Sequence, residues 1–343
     1  MHLISINDFT NKQIVKVLDL AEEIREHPED FQKLLDGKIL ANVFFQPSTR
    51  TRISFESAML RLGGKVINIG DMAMTSTSKG ESFEDTVRML DDYADIMVIR
   101  HFEEDAVKDV KSISQVSLIN AGNGMDEHPT QALVDFYTIR REFKRLNSLN
   151  VVICGDLLYG RTVHSLIHVL IRFNNRIYLV PGGRRGLNKD FRDNLEYLYP
   201  DMTRLMLFPE TTLFSRLYAL YPEKGLKMFS SEYLRSIANI QIIRSSDSGG
   251  DIKPSVLYMT RNQQGTVPIN EDAQEYDPYP VITQILLESK FFNEPIIMHP
   301  LPRGPELPVS LDNHPRSRYF EQAQNGLYVR EALLLLMLNV VKW

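Results

Sequence analysis

The chain has 343 residues, of which 43% are hydrophobic and 24% are charged. That length suits two domains of roughly 100–200 residues each, and the composition is that of a folded globular protein. With 39 basic and 44 acidic residues the formal net charge is −5, so no overall positive field attracts nucleic acid. The single cysteine, Cys154, lies in an apolar run, which excludes a disulfide framework and a cysteine metal site and predicts a buried side chain.

The sequence near the two ends of the chain predicts helices and no membrane-spanning segment. The N-terminal segment lacks the basic region, apolar core and cleavage site of a secretory signal. Thr10 and Gln13 have the spacing of a capping box, which predicts an amphipathic helix. The longest apolar run, at 332–338, is too short to span a bilayer. We therefore expect a cytoplasmic protein that does not bind membranes.

Along the chain, a short apolar strand, a polar turn and an amphipathic helix follow one another repeatedly. Strands are predicted at 39–45, 65–70, 95–100, 116–122, 150–156, 176–181, 255–261 and 295–303. Helices are predicted at 51–64, 82–94, 128–143, 162–173 and 319–341. In the first predicted helix, the expected apolar positions are Ile53, Phe55, Met59 and Leu62, and the expected end is Gly63-Gly64.

This alternation predicts an α/β protein with two doubly wound parallel-sheet domains. A polar boundary at 141–150 divides a first domain, residues 1–145, from a second, residues 146–318. We expect interdomain helices to join them and the closing helix, 319–343, to pack back on the first domain. Near 185–255 the pattern blurs into short helices and loops, which predicts an insertion in the second domain.

Polar motifs cluster at the predicted carboxyl ends of strands, where parallel sheets bind ligands. Ser48, Thr49, Arg50 and Thr51 sit at a strand-to-helix turn, where backbone N–H groups and the helix dipole favour phosphate. A simple N-capped helix with solvated arginines is the alternative. No glycine-rich nucleotide loop occurs in the chain.

Two further motifs carry groups that stabilise negative charge. Arg100 ends a strand, and His128 opens the helix that contains Gln131. A histidine at a helix start is biased towards the neutral form, which can still donate to an oxyanion. A surface ion pair for Arg100 and a plain helix cap for His128 are the alternatives, and no second histidine at ligand spacing supports a metal.

The remaining candidates are cationic. Arg161, Arg261 and Arg303 each follow a strand, Gln263 lies close to Arg261, and Lys79 lies in a Ser/Thr-rich loop. Converging arginines would bind carboxylates, whereas each one alone is most often a surface residue. The chain offers many donors and no evident nucleophile, which suits a reaction in which one bound substrate attacks another.

Several motifs, in order, resemble those of one known family. They are FFQPSTRTRISFESAMLRLGG, SKGESFEDTVRML, VIRH, NAGNGMDEHPTQALVDFYTI, GDLLYGRTVHSL, VLYMTRNQ and MHPLPR. Together they cover about 40–180 and 255–343 and resemble the aspartate/ornithine carbamoyltransferases, the aspartate branch more than the ornithine branch. The resemblance implies transfer of a carbamoyl group from carbamoyl phosphate to L-aspartate, without a cofactor or metal, in pyrimidine biosynthesis.

The resemblance also implies a role for each matching residue. Ser48, Thr49, Arg50 and Thr51 would bind phosphate; Thr51, Arg100 and His128 would polarise the carbamoyl oxygen. Gln131 and the backbone near Leu301 and Pro302 would hold the carbamoyl amide. Arg161, Arg261 and Gln263 would bind aspartate. Ser76 and Lys79 would enter from a neighbouring subunit, which implies a homotrimer and leaves open larger assemblies with regulatory or dihydroorotase chains.

Three departures from the family pattern remove charges. Gln46 stands where an acidic residue is usual, Leu158 where a basic residue is common, and Gln264-Gly265-Thr266 where a charged stretch is usual. The resemblance links these charges to the closing of the site around aspartate. Two alternatives therefore stay open: a carbamoyltransferase for another amino acid, and a weakly active structural or regulatory homologue.

Overall fold

The fold consists of two compact units, each built around one parallel β-sheet. The computed structural model describes residues 1–70, 80–182, 185–199, 253–263, 279–282, 287 and 295–343, and the backbone of 205–207. The first unit comprises Met1–Glu142, His164–Val169 and Glu321–Trp343, and the second comprises Phe143–Val163 and Leu170–Phe320. The closing helix therefore belongs with the first unit, which confirms the prediction.

The described α-helices include the predicted ones in the predicted order, and also a short helix at Ala106–Asp109 that was not predicted. They are α1 (Asn11–Glu26), α2 (Arg50–Arg61), α3 (Phe83–Asp91), α4 (Ala106–Asp109), α5 (Pro129–Phe143), α6 (Arg161–Arg172), α7 (Lys189–Leu198) and α8 (Tyr319–Met337). The predicted capping box opens α1, because Gln13 N donates to Thr10 Oγ1 at 3.3 Å and Thr10 N to Gln13 Oε1 at 2.9 Å. After α2, Gly63 has a φ of 89°, a conformation that glycine adopts readily.

The strands form two all-parallel sheets. The first sheet contains β1 (Ile39–Phe44), β2 (Lys65–Ile69), β3 (Ile96–His101) and β4 (Ser117–Asn123), in the order β2-β1-β3-β4. The second contains β5 (Asn150–Gly155), β6 (Arg176–Pro181), β7 (Leu205–Leu207), β8 (Val256–Met259) and β9 (Ile296–Met298), in the order β7-β6-β5-β8-β9.

Apolar strands bury the centre of each sheet. In the first, Val43 of β1 lies opposite Ile99 of β3, and both side chains are fully buried. In the second, Ile153 of β5 lies between Leu179 of β6 and Tyr258 of β8. Burying one such side chain stabilises the fold by roughly 1.5–3 kcal/mol. These cores hold the strands rigidly and so fix the turns that follow their carboxyl ends.

Cys154 of β5 is 3% exposed and packs in the core of the second unit, as predicted. No described helix is long and apolar enough to cross a membrane. Within the described residues, no group of three or more His, Cys, Asp or Glu side chains is arranged to hold a metal ion.

The structure corrects two expectations. Ile53, expected on the buried face of α2, is 51% exposed, because it lies about 200° around the helix from the buried Phe55. Within 182–255, α7, capped by Asn188, agrees with the expected short helices, whereas the parallel strand β7 was not expected. The rest of the predicted insertion lies outside the described residues.

Candidate active site

The turn from β1 into α2 presents hydroxyls and a guanidinium at a helix start. Thr51 is buried, Ser48 is half-buried, and Thr49 and Arg50 are exposed. Thr49 is the residue that precedes the helix, and its side chain makes no capping hydrogen bond. Because the first N–H groups of a helix have no partner inside it, this turn offers donors to an anion. The turn that the sequence predicts to bind phosphate therefore lies at the start of a helix.

His128 lies directly before α5 and is buried among hydroxyl groups. Its Nε2 is 3.5 Å from Thr51 Oγ1, and its Nδ1 is 3.4 Å from Thr130 Oγ1. Its backbone N–H donates to Ser165 Oγ at 3.0 Å, and Ser165 donates in turn to Glu127 Oε2 at 3.0 Å. The ring is thus held beside the helix start that carries Thr51. Ser165 and Glu127 are supports that sequence reasoning missed.

Arg100 is oriented by neutral acceptors at the end of β3. Its Nε donates to Gln46 Oε1 at 3.2 Å and its Nη1 to the Ala121 carbonyl at 3.4 Å. These bonds position the guanidinium at the end of β3. The neighbouring His101 lies in an aromatic cluster, with its ring 4.4 Å from that of Phe102, and burial lowers its pKa.

The ends of β1, β3 and β4 bring these groups to one edge of the first sheet. Phe44, the last residue of β1, lies opposite Arg100, and Phe45 N donates to the Arg100 carbonyl at 2.9 Å. β4 pairs with β3 on its other side and leads towards His128. Neighbouring strands lie about 4.8 Å apart, so groups at these three ends are near neighbours.

Gln131 stands in the first turn of α5 and contacts a buried carboxylate. Its Nε2 donates to Asp135 Oδ1 at 2.7 Å. Asp135 is fully buried and also accepts from Gln322 Nε2 of α8 at 2.6 Å. Sequence reasoning missed Asp135, although a single acid within the apolar run ALVDFY is an unusual choice for a buried helix face.

In the second unit, two arginines lie close together beyond the strand ends. Arg161 is the first residue of α6 and follows β5, whereas Arg261 follows β8. Burial and the charge of Arg261 lower the pKa of Arg161 to about 10. Arg261 Nη2 donates to Gln263 Oε1 at 3.2 Å. Two guanidiniums and an amide thus form a group that suits a carboxylate ligand.

A buried carboxylate supports this second group. Asp156 follows β5 and accepts from Tyr159 N at 2.9 Å and from Gln263 N at 3.2 Å. Burial raises its pKa, and Arg185 Nε lies 3.6 Å from its Oδ2. Asp156 therefore holds the backbone of Gln263. Leu158, two residues on, carries no charge, and Arg185 provides a cation next to this turn.

The loop after β9 is shaped by a buried histidine. Leu301 N donates to His299 Nδ1 at 2.8 Å, so Nε2 carries the ring proton and donates to Glu306 Oε1 at 3.1 Å. The Leu301-Pro302 peptide bond is cis. Arg303, which the sequence grouped with the other arginines, instead forms a two-bonded ion pair with Asp312. The expectation for Arg303 as part of an anion site is wrong, because a local carboxylate already neutralises it.

Some predicted positions lie outside the described residues. They are Ser76, Lys79 and the segment Gln264-Gly265-Thr266.

Parallel α/β folds bind ligands beyond the carboxyl ends of their strands, which is where the polar groups described above lie. Residues 1–141 match the model of the aspartate/ornithine carbamoyltransferase carbamoyl-P binding domain. Residues 226–337 match the Asp/Orn binding domain of the same family. The chain belongs to the aspartate/ornithine carbamoyltransferase family.

Similar proteins agree along nearly the whole length. The aspartate carbamoyltransferase catalytic subunit of Methanocaldococcus jannaschii is 40% identical over 97% of this chain and 96% of its own. The crystal structure of a catalytic subunit of aspartate transcarbamoylase from M. jannaschii matches with a TM-score of 0.74 at 37% identity, covering 97% of this chain and 96% of that one. Aspartate transcarbamoylase from Trypanosoma cruzi in complex with carbamoyl phosphate matches with a TM-score of 0.79 at 30% identity, covering 97% and 95%.

Proposed function

We propose that this chain transfers the carbamoyl group of carbamoyl phosphate to the amine of L-aspartate. The products are N-carbamoyl-L-aspartate and phosphate, and the reaction belongs to pyrimidine biosynthesis. The observation that carries the proposal is the edge of the first sheet, where Thr51 Oγ1 lies 3.5 Å from His128 Nε2 and Arg100 is the penultimate residue of β3. The aspartate transcarbamoylase relatives support the choice of aspartate.

In this proposal the first unit supplies most of the groups that bind carbamoyl phosphate. Ser48, Thr49, Arg50 and Thr51 bind the phosphate oxygens through hydroxyls, the guanidinium and the helix N–H groups. Gln131, together with the backbone near Leu301 and Pro302, holds the carbamoyl amide. We assign carbamoyl phosphate to residues 1–145 with 319–343, and aspartate to residues 146–318 with the insertion near 185–255.

The chemistry needs no protein base. The free aspartate amine attacks the carbamoyl carbon, a C–N bond forms, and the carbonyl oxygen becomes an oxyanion. Thr51, Arg100 and His128 stabilise that oxyanion. If Thr130 Oγ1 donates to His128 Nδ1, the single proton of the neutral ring lies on Nε2 and can be donated to the oxyanion. The C–O bond to phosphate then breaks, and the departing phosphate takes the proton of the amine.

Aspartate binding uses the cationic group of the second unit. Arg161, Arg261 and Gln263 bind the two carboxylates, and Lys79 completes the site. A dicarboxylate relieves the repulsion from Arg261, which adds to burial in lowering the pKa of Arg161. Small anions are thus the partners of this site.

Steady-state phosphate release, measured with aspartate, ornithine and N-acetylornithine in turn, tests this function. We expect turnover with aspartate alone. Turnover with an ornithine-type acceptor instead would assign the family's other acceptor class. Absence of turnover with all three, in a folded protein that binds neither substrate, would leave a structural or regulatory role.

We further propose a cytoplasmic homotrimer in which Ser76 and Lys79 complete the site of a neighbouring subunit. Arg50→Ala and Lys79→Ala remove parts of the same site from different chains. Mixed after dissociation, two inactive variants then form hybrid trimers that contain some intact sites. We expect the mixture to regain activity, whereas sites confined to single chains would leave it inactive.

A further inference from the structure

We infer that Asp135 is a positioning residue that fixes the carboxamide of Gln131, and thereby makes the site select a donor with an N–H group over an acyl phosphate without one. This inference rests on the proposed function. It concerns the choice between carbamoyl phosphate, whose carbon carries NH₂, and acetyl phosphate, whose carbon carries CH₃. The two differ little in shape, so a hydrogen bond must separate them.

The direction of the Gln131 side chain follows from its partner. Gln131 Nε2 lies 2.7 Å from Asp135 Oδ1, and a carboxylate only accepts hydrogen bonds. The NH₂ end of the amide is therefore the end that faces Asp135. Because the carboxamide is planar, Oε1 points to the other side of its carbon. In the described part of the chain, Oε1 has no donor of its own, so it is available to accept from a substrate N–H.

Asp135 is itself held from the C-terminal helix. Gln322 Nε2 donates to Asp135 Oδ1 at 2.6 Å, a contact between residues 187 positions apart in the chain. Both bonds go to the same oxygen, which must be unprotonated to accept twice. One turn further along each helix, Asn325 Nδ2 donates to Thr138 Oγ1 at 3.0 Å. Two adjacent polar contacts therefore lock α8 against α5 at this level.

A buried cation favours the anionic form of Asp135. Arg330 is 4% exposed and interacts electrostatically with Asp135. Its Nη1 donates to the Gly326 carbonyl at 2.9 Å, and its guanidinium lies 5.2 Å from the ring of Phe55 in α2. A neighbouring positive charge favours an ionised carboxyl. The acceptor that orients Gln131 is thus maintained by groups from α8.

The physical consequence is selection by hydrogen bonding. A carbamoyl NH₂ can donate to the fixed Oε1 of Gln131, whereas an acetyl methyl group leaves that oxygen without a partner. Losing one hydrogen bond of ordinary strength corresponds to roughly 2- to 13-fold in affinity. If the amide were free to rotate, its NH₂ end would face the substrate half of the time, and the preference would fall.

The experiment compares two stable analogues, phosphonoacetamide and 2-oxopropylphosphonate, which differ by NH₂ against CH₃. Their dissociation constants are measured by calorimetry on the full-length protein. We expect the wild type to prefer the amide by about tenfold. In Asp135→Ala that preference falls to twofold or less, while the affinity for the methyl analogue stays within about threefold. Asn325→Ala, the matched control, removes the neighbouring contact between α8 and α5, leaves both partners of Asp135 in place and keeps the preference.

A merely structural role predicts another pattern. Both variants would then lose thermal stability, and both analogues would weaken together with their ratio unchanged. That result in Asp135→Ala would overturn the inference. If Asp135→Ala does not fold, Asp135→Asn keeps the shape of the side chain and offers an N–H as well as an oxygen, so its preference should fall at least threefold. An unchanged ratio in the asparagine variant would equally overturn the inference.

Failure of the proposed function is distinguishable from failure of this inference. If the wild-type protein binds neither analogue and releases no phosphate with aspartate, the proposed function is wrong. If the wild type binds both and prefers the amide, but Asp135→Ala retains that preference, only the role of Asp135 is wrong.

Discussion

The two proposed anion-binding regions of the molecule hold their cations in different ways. In the first unit, neutral oxygens of Gln46 and Ala121 orient Arg100, and hydroxyls flank the ring of His128. In the second unit, the positive charge of Arg261 adds to burial in lowering the pKa of Arg161 to about 10. The first region is arranged by hydrogen bonds, whereas the second keeps two like charges together.

Because of this difference, substitutions in the two regions should have different effects on turnover and on stability. A preformed hydrogen-bonded region needs no rearrangement when charge develops on the substrate, which is the condition for electrostatic catalysis. A pair of like charges costs free energy until an anion binds between or beside them. Substitutions in the first region should therefore lower turnover without stabilising the protein, whereas a substitution in the second should weaken binding and stabilise it.

The largest expected effect is that of Arg50→Ala. The exposed guanidinium at the start of α2 supplies charge-assisted hydrogen bonds to phosphate. We expect kcat/KM for carbamoyl phosphate to fall by about 10³-fold or more, with an unchanged unfolding transition. Arg88→Ala, at an exposed position of α3, is the control and should behave like the wild type. A near-normal rate in Arg50→Ala would show that Arg50 does not bind the phosphate of carbamoyl phosphate.

Arg261→Gln should change binding and stability in opposite directions. Losing a carboxylate ligand should raise KM for aspartate by about 100-fold. Relief of repulsion at this exposed side chain should raise the free energy of unfolding by less than about 1 kcal/mol. Kinetics and urea unfolding measure the two effects. In the control Arg303→Gln, the ion pair with Asp312 is lost, so stability falls while KM changes little.

Thr51→Val should give a smaller loss that is confined to turnover. The change removes one hydroxyl next to His128 and keeps the side-chain shape. We expect kcat to fall by about 100-fold, because one oxyanion donor is lost. Thr138→Val removes an equally buried hydroxyl that contacts Val134 and Asn325. That control should lose stability and keep kcat; the reverse pattern would contradict the assigned role of Thr51.

The main features of the fold could be predicted from the sequence because its strands are short buried runs between polar turns. For example, the strand predicted at 176–181 has those bounds in the structure. The region after it was less regular: β7 has three residues and depends on pairing with β6 rather than on a pattern of its own. Local periodicity cannot show a strand that is stabilised by a distant neighbour.

The candidate site shows the same limit. Residues that begin helices, such as Arg50 and Arg161, could be singled out because they follow strands. Asp135 and Gln322 could not, since their contact joins positions 187 residues apart. Arg303 was placed wrongly because Asp312, nine residues away, neutralises it. Supporting contacts of this kind are set by tertiary packing, which a single sequence does not display.

The first unit also contains a buried carboxyl group away from the proposed site, and its protonation gives the last prediction. Glu331 of α8 is 4% exposed and lines a pocket of about 360 Å³ with Arg61 and Tyr328. Burial raises its pKa to about 7 from 4.5, against the opposing attraction of Arg61. The folded protein therefore holds a proton here that the unfolded chain releases at lower pH.

The sign of the pH dependence follows from that difference. Stability contributed by the protonated carboxyl is complete below pH 4.5 and is lost as the pH rises towards 7. Glu331→Gln stays neutral, so above pH 7 it should be more stable than the wild type by up to about 3 kcal/mol, with equal stability at pH 4.5. Glu321→Gln, on the same helix, loses a bond from Arg141 and should not stabilise the protein. Because Glu331 is not among the assigned site residues, kcat of Glu331→Gln should equal that of the wild type. A large fall in kcat would mean that the charge of Glu331 affects the start of α2.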